Sequence, residues 1–326
     1  MALLSIENLS VSFSARSGNV PTLLDVSLQV SPGETLGVVG ESGSGKSLTA
    51  RAVMGLLPPG ARITGGRIRF APKDGAEVDI ARLPPRGSAI RGLRARRIAM
   101  VFQEPMASLS PVHTIGAQVA TPLRTHFGLS ARAARAEAVD WLTRVRMPSA
   151  REVATQYPHQ ISGGMRQRAM IAIALSCRPR VLICDEPTTA LDVTTEAQIV
   201  SLLAELQAEF GMAMLFISHN VALVSEIADR VAVMYLGQVV EAGTRASVLG
   251  TPAHPYTRGL LRSIPALAEP GERLATLSGN VPDAARRPSG CAFHPRCPER
   301  LDGPCAVQPP RLSTRGGADL RCHLHG

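Results

Sequence analysis

The sequence predicts an α/β fold, on three observations. Short apolar strands alternate with stretches of helical spacing, a glycine-rich loop joins one strand to a helix, and a second apolar strand ends in paired acids. Strand-type alternation covers 3–13 and 24–30, and the turn SPGE at 31–34 leads into the apolar strand 36–39. Residues 63–70 and 76–80 read as a short hairpin. Helical spacing follows over 129–146 and 164–176, then the apolar run VLICD at 181–185, a helix over about 194–210 and the strand MAMLFIS at 212–218. In sheets of this kind the functional loops lie at the strand ends.

A chain of 326 residues accommodates one large domain and something smaller. The texture changes near residue 250, beyond which Pro, Gly and Arg abound and four of the six cysteines fall, so the expected domains are 1–250 and 251–326. No internal repeat is visible, which leaves a single large unit and not a fused pair. No uninterrupted apolar run is long enough to span a bilayer. The opening MALLSIENLSVSF has no basic leader region or cleavage pattern and reads as a strand, so a cytoplasmic protein is expected.

The formal net charge is +9, but only Lys46 and Lys73 are lysines among the 35 basic residues. The densest cluster, Arg82, Arg86, Arg91, Arg94, Arg96 and Arg97, has no interleaved aromatics for base stacking. A solvated or protein-facing surface accounts for it better than nucleic acid does. The scarcity of lysine makes Lys46 informative: an ammonium stands inside the glycine-rich loop where arginine would not serve.

That loop, GESGSGKS at 40–47, fits G-x-x-x-x-G-K-[ST] between a strand and a helix. In Gly40, Glu41, Ser42, Gly43, Ser44, Gly45, Lys46 and Ser47 the glycines let backbone N–H groups turn towards phosphate oxygens, helped by the positive end of the following helix. Lys46 would reach the β- and γ-phosphates and Ser47 would ligate Mg²⁺. In VLICDEP the apolar strand places Asp185 at its carboxyl edge, where it can hold Mg²⁺ through water. Glu186 follows as candidate general base, while Cys184 reads as a small core residue. ISGGMRQR at 161–168 is a second anion-seeking helix start, with a hydroxyl, free backbone N–H groups and a helix dipole. Two such starts in one chain suggest that the second serves a nucleotide held by another subunit.

Taken together, the P-loop, Gln103 in VFQEP, ISGGM, VLICDEP, TTALD and His219 in FISHN resemble the ATP-binding cassette of ABC transporters, over residues 3 to about 245. The resemblance implies a P-loop NTPase core with a mixed sheet, an antiparallel β subdomain, a helical subdomain at roughly 104–160 and a small irregular Cys-rich C-terminal extension. It implies that Gln103 senses Mg²⁺ and the attacking water and couples the site to the membrane partner. Ser162, Gly163 and Gly164 match the signature that completes a partner's site across a head-to-tail dimer. Asp192 falls in the D-loop, His219 is the switch histidine at the γ-phosphate, and Phe13 stands where the family places an aromatic on adenine. Ile161 and Met165 depart from the usual ends of the signature and Thr189 from the usual D-loop serine, but the phosphate-facing Ser-Gly-Gly is intact.

PMASLSP, YPHQISGGMRQR, EPTTALDV, HPYTRGLL and GCAFHPRCP resemble the oligopeptide/dipeptide importer branch, and VGESGSGKS with MGLLPPGARITGG resembles the first of its two paired ATPases. What this implies is an ATP- and Mg²⁺-dependent ATPase, peripheral on the cytoplasmic face of the inner membrane. It would work with a second ABC ATPase, as homo- or heterodimer, and with two transmembrane permease subunits. A solute-binding protein would be engaged indirectly, and nucleic acid not at all. Relatives serving nickel, glutathione or other small solutes share these motifs. A soluble ABC ATPase acting on nucleic acid or ribosomes fits less well, since neither a long coiled coil nor a second cassette is present; a regulatory, non-hydrolysing cassette is the other alternative.

Cys291, Cys297, Cys305 and Cys322 are spaced C-x5-C-x7-C-x16-C. Disulfides are disfavoured in a cytoplasmic chain. The tight pair usual for zinc is missing, and ferredoxin spacing is not matched either. Iron–sulfur, zinc and plain thiols all stay open on the residues alone. The resemblance favours a 4Fe–4S cluster, which this branch carries on such cysteines. His294, His323 and His325 are alternative ligands by residue type, but a surface role suits each of them better.

Overall fold

The alternation near the N-terminus becomes two long antiparallel strands, β1 (Leu4–Ala15) and β2 (Gly18–Val30), paired from Leu4↔Val30 to Ala15↔Gly18. Leu4, Ile6, Leu9 and Val11 turn inward and are buried. β2 begins well before residue 24 because pairing with β1, rather than its own pattern, carries the strand through Pro21. The chain continues through β3 (Thr35–Val39), every residue of it buried, and the helix Lys46–Val53. β4 (Ala61–Phe70) and β5 (Val78–Asp79) then pair as the expected hairpin, through Arg69↔Asp79 and Phe70↔Val78. These strands form an antiparallel sheet in the order β2-β1-β4-β5.

The computed structural model describes residues 2–15, 18–189, 191–263 and 277–325. Stretch 264–276 of the C-terminal extension and Ala190 of TTALD lie outside the described residues. The chain divides into two units, Met1–Leu83 with Phe216–Gly326, and Pro84–Leu215.

The second unit holds β6 (Ile98–Val101), the helices Ile115–Phe127, Ala131–Arg144 and Gly163–Leu175, β7 (Val181–Asp185), the helix Val193–Phe210 and the start of β8 (Ala213–Ile217). β6 runs parallel to β7, from Ile98↔Val181 to Val101↔Cys184. Trp141 is fully buried against Phe210, with ring centroids 5.7 Å apart. The helix Ile115–Phe127 is not evident in the sequence because Pro122 interrupts its pattern. Tertiary packing secures it: a Cβ at Gly116 would lie 2.7 Å from the Ala154 carbonyl oxygen, so only glycine permits that approach.

The first unit resumes with the helix Val221–Ile227, β9 (Arg230–Tyr235), β10 (Gln238–Thr244), the helix Pro255–Arg262, β11 (Leu312–Arg315) and β12 (Ala318–Arg321). β3 runs parallel to β9, β10 is antiparallel to both β9 and β12, and the order is β11-β12-β10-β9-β3. The extension expected as irregular therefore contributes an ordered hairpin to a sheet edge. Ala318 and Leu320 on alternate positions are buried, which fixes its register.

Behind β10, the fully buried Glu241 accepts hydrogen bonds from the backbone N–H groups of Ala253 (2.8 Å) and His254 (3.1 Å). The His254 ring then caps the helix Pro255–Arg262, its Nδ1 accepting from Tyr256 N at 3.0 Å. Burial pushes the His254 imidazole down from 6.5 to about 3, and the charges of Arg258 and His325 add to the effect. The unfolded chain therefore binds a proton here that the folded chain refuses. The contribution to stability is complete above pH 6.5 and is lost as pH falls towards 3. The slope is about 1.4 kcal/mol per pH unit. Urea unfolding between pH 7 and 5 should show a steeper loss for the wild type than for His254→Asn, whose amide can still cap the helix. Parallel pH profiles would disprove the assignment.

Candidate functional site

The glycine-rich loop takes the shape its residue types demand. Gly40 has φ +152°, and a Cβ there would lie 2.2 Å from the Met234 carbonyl oxygen. Gly45, at φ +99°, caps the helix Lys46–Val53, and its Cβ would strike Leu23 at 2.5 Å. The loop closes with Ser44 N donating to Glu41 O at 3.1 Å. Lys46 is only 3% exposed, and its Nζ donates to the carbonyl oxygens of Gly40 (2.7 Å) and Glu41 (3.1 Å). An ammonium beside a helix N-terminus suits a phosphate by its chemistry, and the two loop carbonyls hold that cation in place. Ser42 and Gly43 are exposed at the tip, and Ser47 is half-buried in the first helical turn.

Phe13 stands in β1 opposite Val20 and Ala61, with its ring half-exposed. His219 is exposed just after β8, next to Asn220, which caps the helix Val221–Ile227. Two residues bearing on the loop were not evident in the sequence. Tyr256 hydrogen-bonds the Glu41 backbone and Arg296 pairs with its carboxylate. HPYTRGLL and HPRCP flag both only as motif letters.

In the second unit the structure brings Gln103 and Glu186 together across 83 residues of sequence, Gln103 Nε2 donating to Glu186 Oε2 at 3.1 Å. Thr189 Oγ1 donates to the same oxygen at 3.1 Å, so the carboxylate is oriented from two sides. Glu186 adopts φ +47°, a left-handed conformation that costs a non-glycine residue about 1 kcal/mol or more. That turn carries the chain sharply away after the buried strand β7. Asp185 ends β7 at 2% exposure. Cys184 before it is fully buried, and burial, then the Asp185 charge, pushes its thiol up, so it is the inert core residue expected. Within this unit the Gln103 amide and the Asp185 carboxylate offer hard oxygen donors of the kind that suits Mg²⁺.

Ser162 is exposed and caps the helix Gly163–Leu175, its Oγ accepting from Met165 N at 3.3 Å. Gly163 is exposed, and a Cβ at Gly164 would lie 2.8 Å from Thr195 Cγ2. The signature helix thus presents its N-terminus to solvent. Asp192 caps the helix Val193–Phe210, accepting from Thr195 N (2.9 Å) and Thr195 Oγ1 (2.7 Å). Those bonds hold its carboxyl below the usual range.

In the C-terminal extension Cys291, Cys305 and Cys322 are buried and Cys297 is half-buried, all as free thiols. Cys291 N donates to Cys305 O at 2.8 Å, an approach that Gly290 permits at φ +63°. Burial pushes the Cys291 thiol up to about 11, and the neighbouring Cys305, Cys322 and Cys297 add to it, so the four lie within electrostatic reach of one another. Such a sulfur set suits iron–sulfur ligation by its chemistry. Among the described residues no three His, Cys, Asp or Glu side chains stand as a ready metal-holding group. His294, His323 and His325 each bond a backbone carbonyl, of Cys291, Gln308 and Ala253 respectively.

Residues 23–189 match the ABC transporter family, and residues 240–305 match the oligopeptide/dipeptide transporter C-terminal region. A protein of Brucella abortus provisionally named a peptide import ATP-binding protein is 50% identical over 330 residues, covering 98% of this chain and 96% of that protein. One of Brucella suis with the same kind of name is 47% identical over 320 residues, covering 98% and 94%. Among solved structures, a dimeric post-hydrolysis ATP-binding cassette with ADP and Pi matches with a TM-score of 0.65 and 25% identity, over 74% of this chain and 98% of that one. An ABC transporter component of Clostridium perfringens matches with a TM-score of 0.63 and 27% identity, over 77% and 91%. On the match over residues 23–189 and the likeness to these relatives along nearly the whole sequence, the chain belongs to the ABC transporter family of ATP-binding proteins.

Proposed function

We propose that the chain is the ATP-hydrolysing subunit of a membrane importer for di- or oligopeptides. The observation that carries this reading is likeness to peptide import ATP-binding proteins along 98% of the chain, C-terminal region included. Residues 40–47 bind the triphosphate, with Lys46 on the β- and γ-phosphates and Phe13 against the base. Ser47, Gln103 and Asp185 would hold Mg²⁺, which when bound neutralises phosphate charge. Glu186, oriented by Gln103 and Thr189, takes the proton of the attacking water. His219 steadies the γ-phosphate, and Ser162, Gly163, Gly164 and Asp192 act on the nucleotide of a second ATPase subunit. The exposed N-terminus of the signature helix supports that pairing.

No helix of the described residues is long and apolar enough to cross a membrane. Attachment to the cytoplasmic face then falls to two permease subunits, with a solute-binding protein acting through them. After Gln103 the chain exposes Met106 (57%) and Val112 (73%), apolar surface that supports a permease-facing groove at roughly 104–125. Photocrosslinks from these two positions to the permease are expected, and none reaching it would sink this part. Reconstituted with its permeases in vesicles, the ATPase should be stimulated by peptide-loaded binding protein. Stimulation by nickel or glutathione and not by peptide would transfer the assignment to those solutes. We further infer that the four cysteines carry a 4Fe–4S cluster. Anaerobically purified protein should contain iron and acid-labile sulfide, whereas colourless protein containing only zinc would refute it.

A further inference from the structure

Glu41, the P-loop's second residue, is held at its carboxylate and at both of its backbone polar groups. Its carboxylate receives both terminal nitrogens of Arg296, Nη1 to Oε2 at 2.7 Å and Nη2 to Oε1 at 2.9 Å. Its backbone N–H donates to the hydroxyl of the fully buried Tyr256 at 2.9 Å. Its carbonyl oxygen is one of the two that hold the Lys46 ammonium. All three polar groups of one residue are therefore committed, and two of the three partners come from beyond residue 250.

Arg296 is itself held rigidly. Its side chain is 4% exposed, its Nε donates to Ser278 O at 3.0 Å, and its guanidinium lies over the Tyr235 ring at 5.8 Å. Tyr235, Tyr256 and Phe293 form one buried aromatic cluster with centroid separations of 4.7 to 5.3 Å. Two of the chain's three tyrosines are spent here, in a sequence otherwise poor in aromatics. The bidentate guanidinium–carboxylate geometry fixes direction as well as distance, which a flexible surface pair would not do.

We propose that Arg296 and Tyr256 are positioning residues for the nucleotide site: through Glu41 the C-terminal extension sets the P-loop in its phosphate-receiving shape before ATP arrives. The extension is then part of the ATP site and tunes its affinity. A preformed cradle saves the ordering cost that a floppy loop would incur on binding. Because Arg296 lies between Cys291 and Cys297 in sequence, reorganisation of that cysteine segment reaches the P-loop by the same contact. The inference rests on residues 40–47 being the nucleotide site.

The test uses the full chain, a fluorescent ATP analogue for equilibrium binding, and steady-state ATPase in the assembled transporter. Arg296→Met should raise Kd and the KM for ATP about tenfold with kcat within about twofold, a KM-against-kcat split that general loosening of the fold would not produce. Arg296→Lys, which keeps the charge but loses the fork, should recover only part of the loss. Glu41→Gln and Tyr256→Phe should each raise Kd about threefold or more, and they decide the matter should Arg296→Met fail to fold. Unchanged Kd in both of these, or a fall in kcat equal to the rise in KM, would overturn the proposal. Lys46→Ala serves as the control: if it binds the analogue like the wild type, the nucleotide reading of the loop fails instead.

Discussion

Glu186→Gln should lower ATP turnover in the assembled transporter by about 10²- to 10⁴-fold while leaving ATP affinity within about twofold. The substitution keeps the shape of the side chain but removes the carboxylate proposed to accept the proton from water. Gln103 and Thr189 both donate to Glu186 Oε2, so the carboxylate is already aimed and little reorganisation accompanies attack. The hydrolysis step alone is slowed, and the ATP-bound pair of subunits should accumulate. Phosphate release and size-exclusion chromatography with ATP check this together. Turnover within tenfold of wild type would remove Glu186 from the role of base. Gln103→Ala should produce a smaller loss, because it frees one of the two restraints on the same oxygen.

Lys46→Ala should abolish measurable nucleotide binding, raising Kd about 100-fold or more. The ammonium is 3% exposed and held by the Gly40 and Glu41 carbonyls, so its loss removes the loop's positive charge and also takes one hydrogen-bond donor from each of those acceptors. Lys46→Arg should restore less than about a tenth of the affinity, since a planar guanidinium cannot fit where a point charge sits between two carbonyl oxygens. Equilibrium binding of a fluorescent ATP analogue measures both. Full recovery by arginine would mean that the position needs only positive charge. That outcome would also undo the significance of a lysine in a chain that otherwise uses arginine almost everywhere.

Much of this site is legible in the residues because its chemistry is local. A phosphate cradle is a run of backbone conformations, and Gly40 and Gly45 announce it by being the residues that can adopt them. The helices Ala131–Arg144, Gly163–Leu175 and Val193–Phe210 follow from helical spacing in the sequence. The elements that escape notice fail for identifiable reasons. β9 is buried over nearly its whole length, so it shows no alternation by which a strand is distinguished from a buried helix turn. β11 and β12 are four residues each and gain their pairing from each other and from β10. The helix Ile115–Phe127 carries a proline that its own sequence cannot excuse.

The α/β class, the glycine-rich loop with its lysine, the acid pair after a buried strand and the serine–glycine helix start are all legible in the residues alone. Each is written in contiguous residues whose backbone preferences and side-chain chemistry need no distant partner. That Gln103 meets Glu186, and that Glu41 of the P-loop is gripped by Arg296 from 255 residues away, emerges once the chain is folded. Pairings of that range are set by how strands and loops stack, and no local period or motif encodes them.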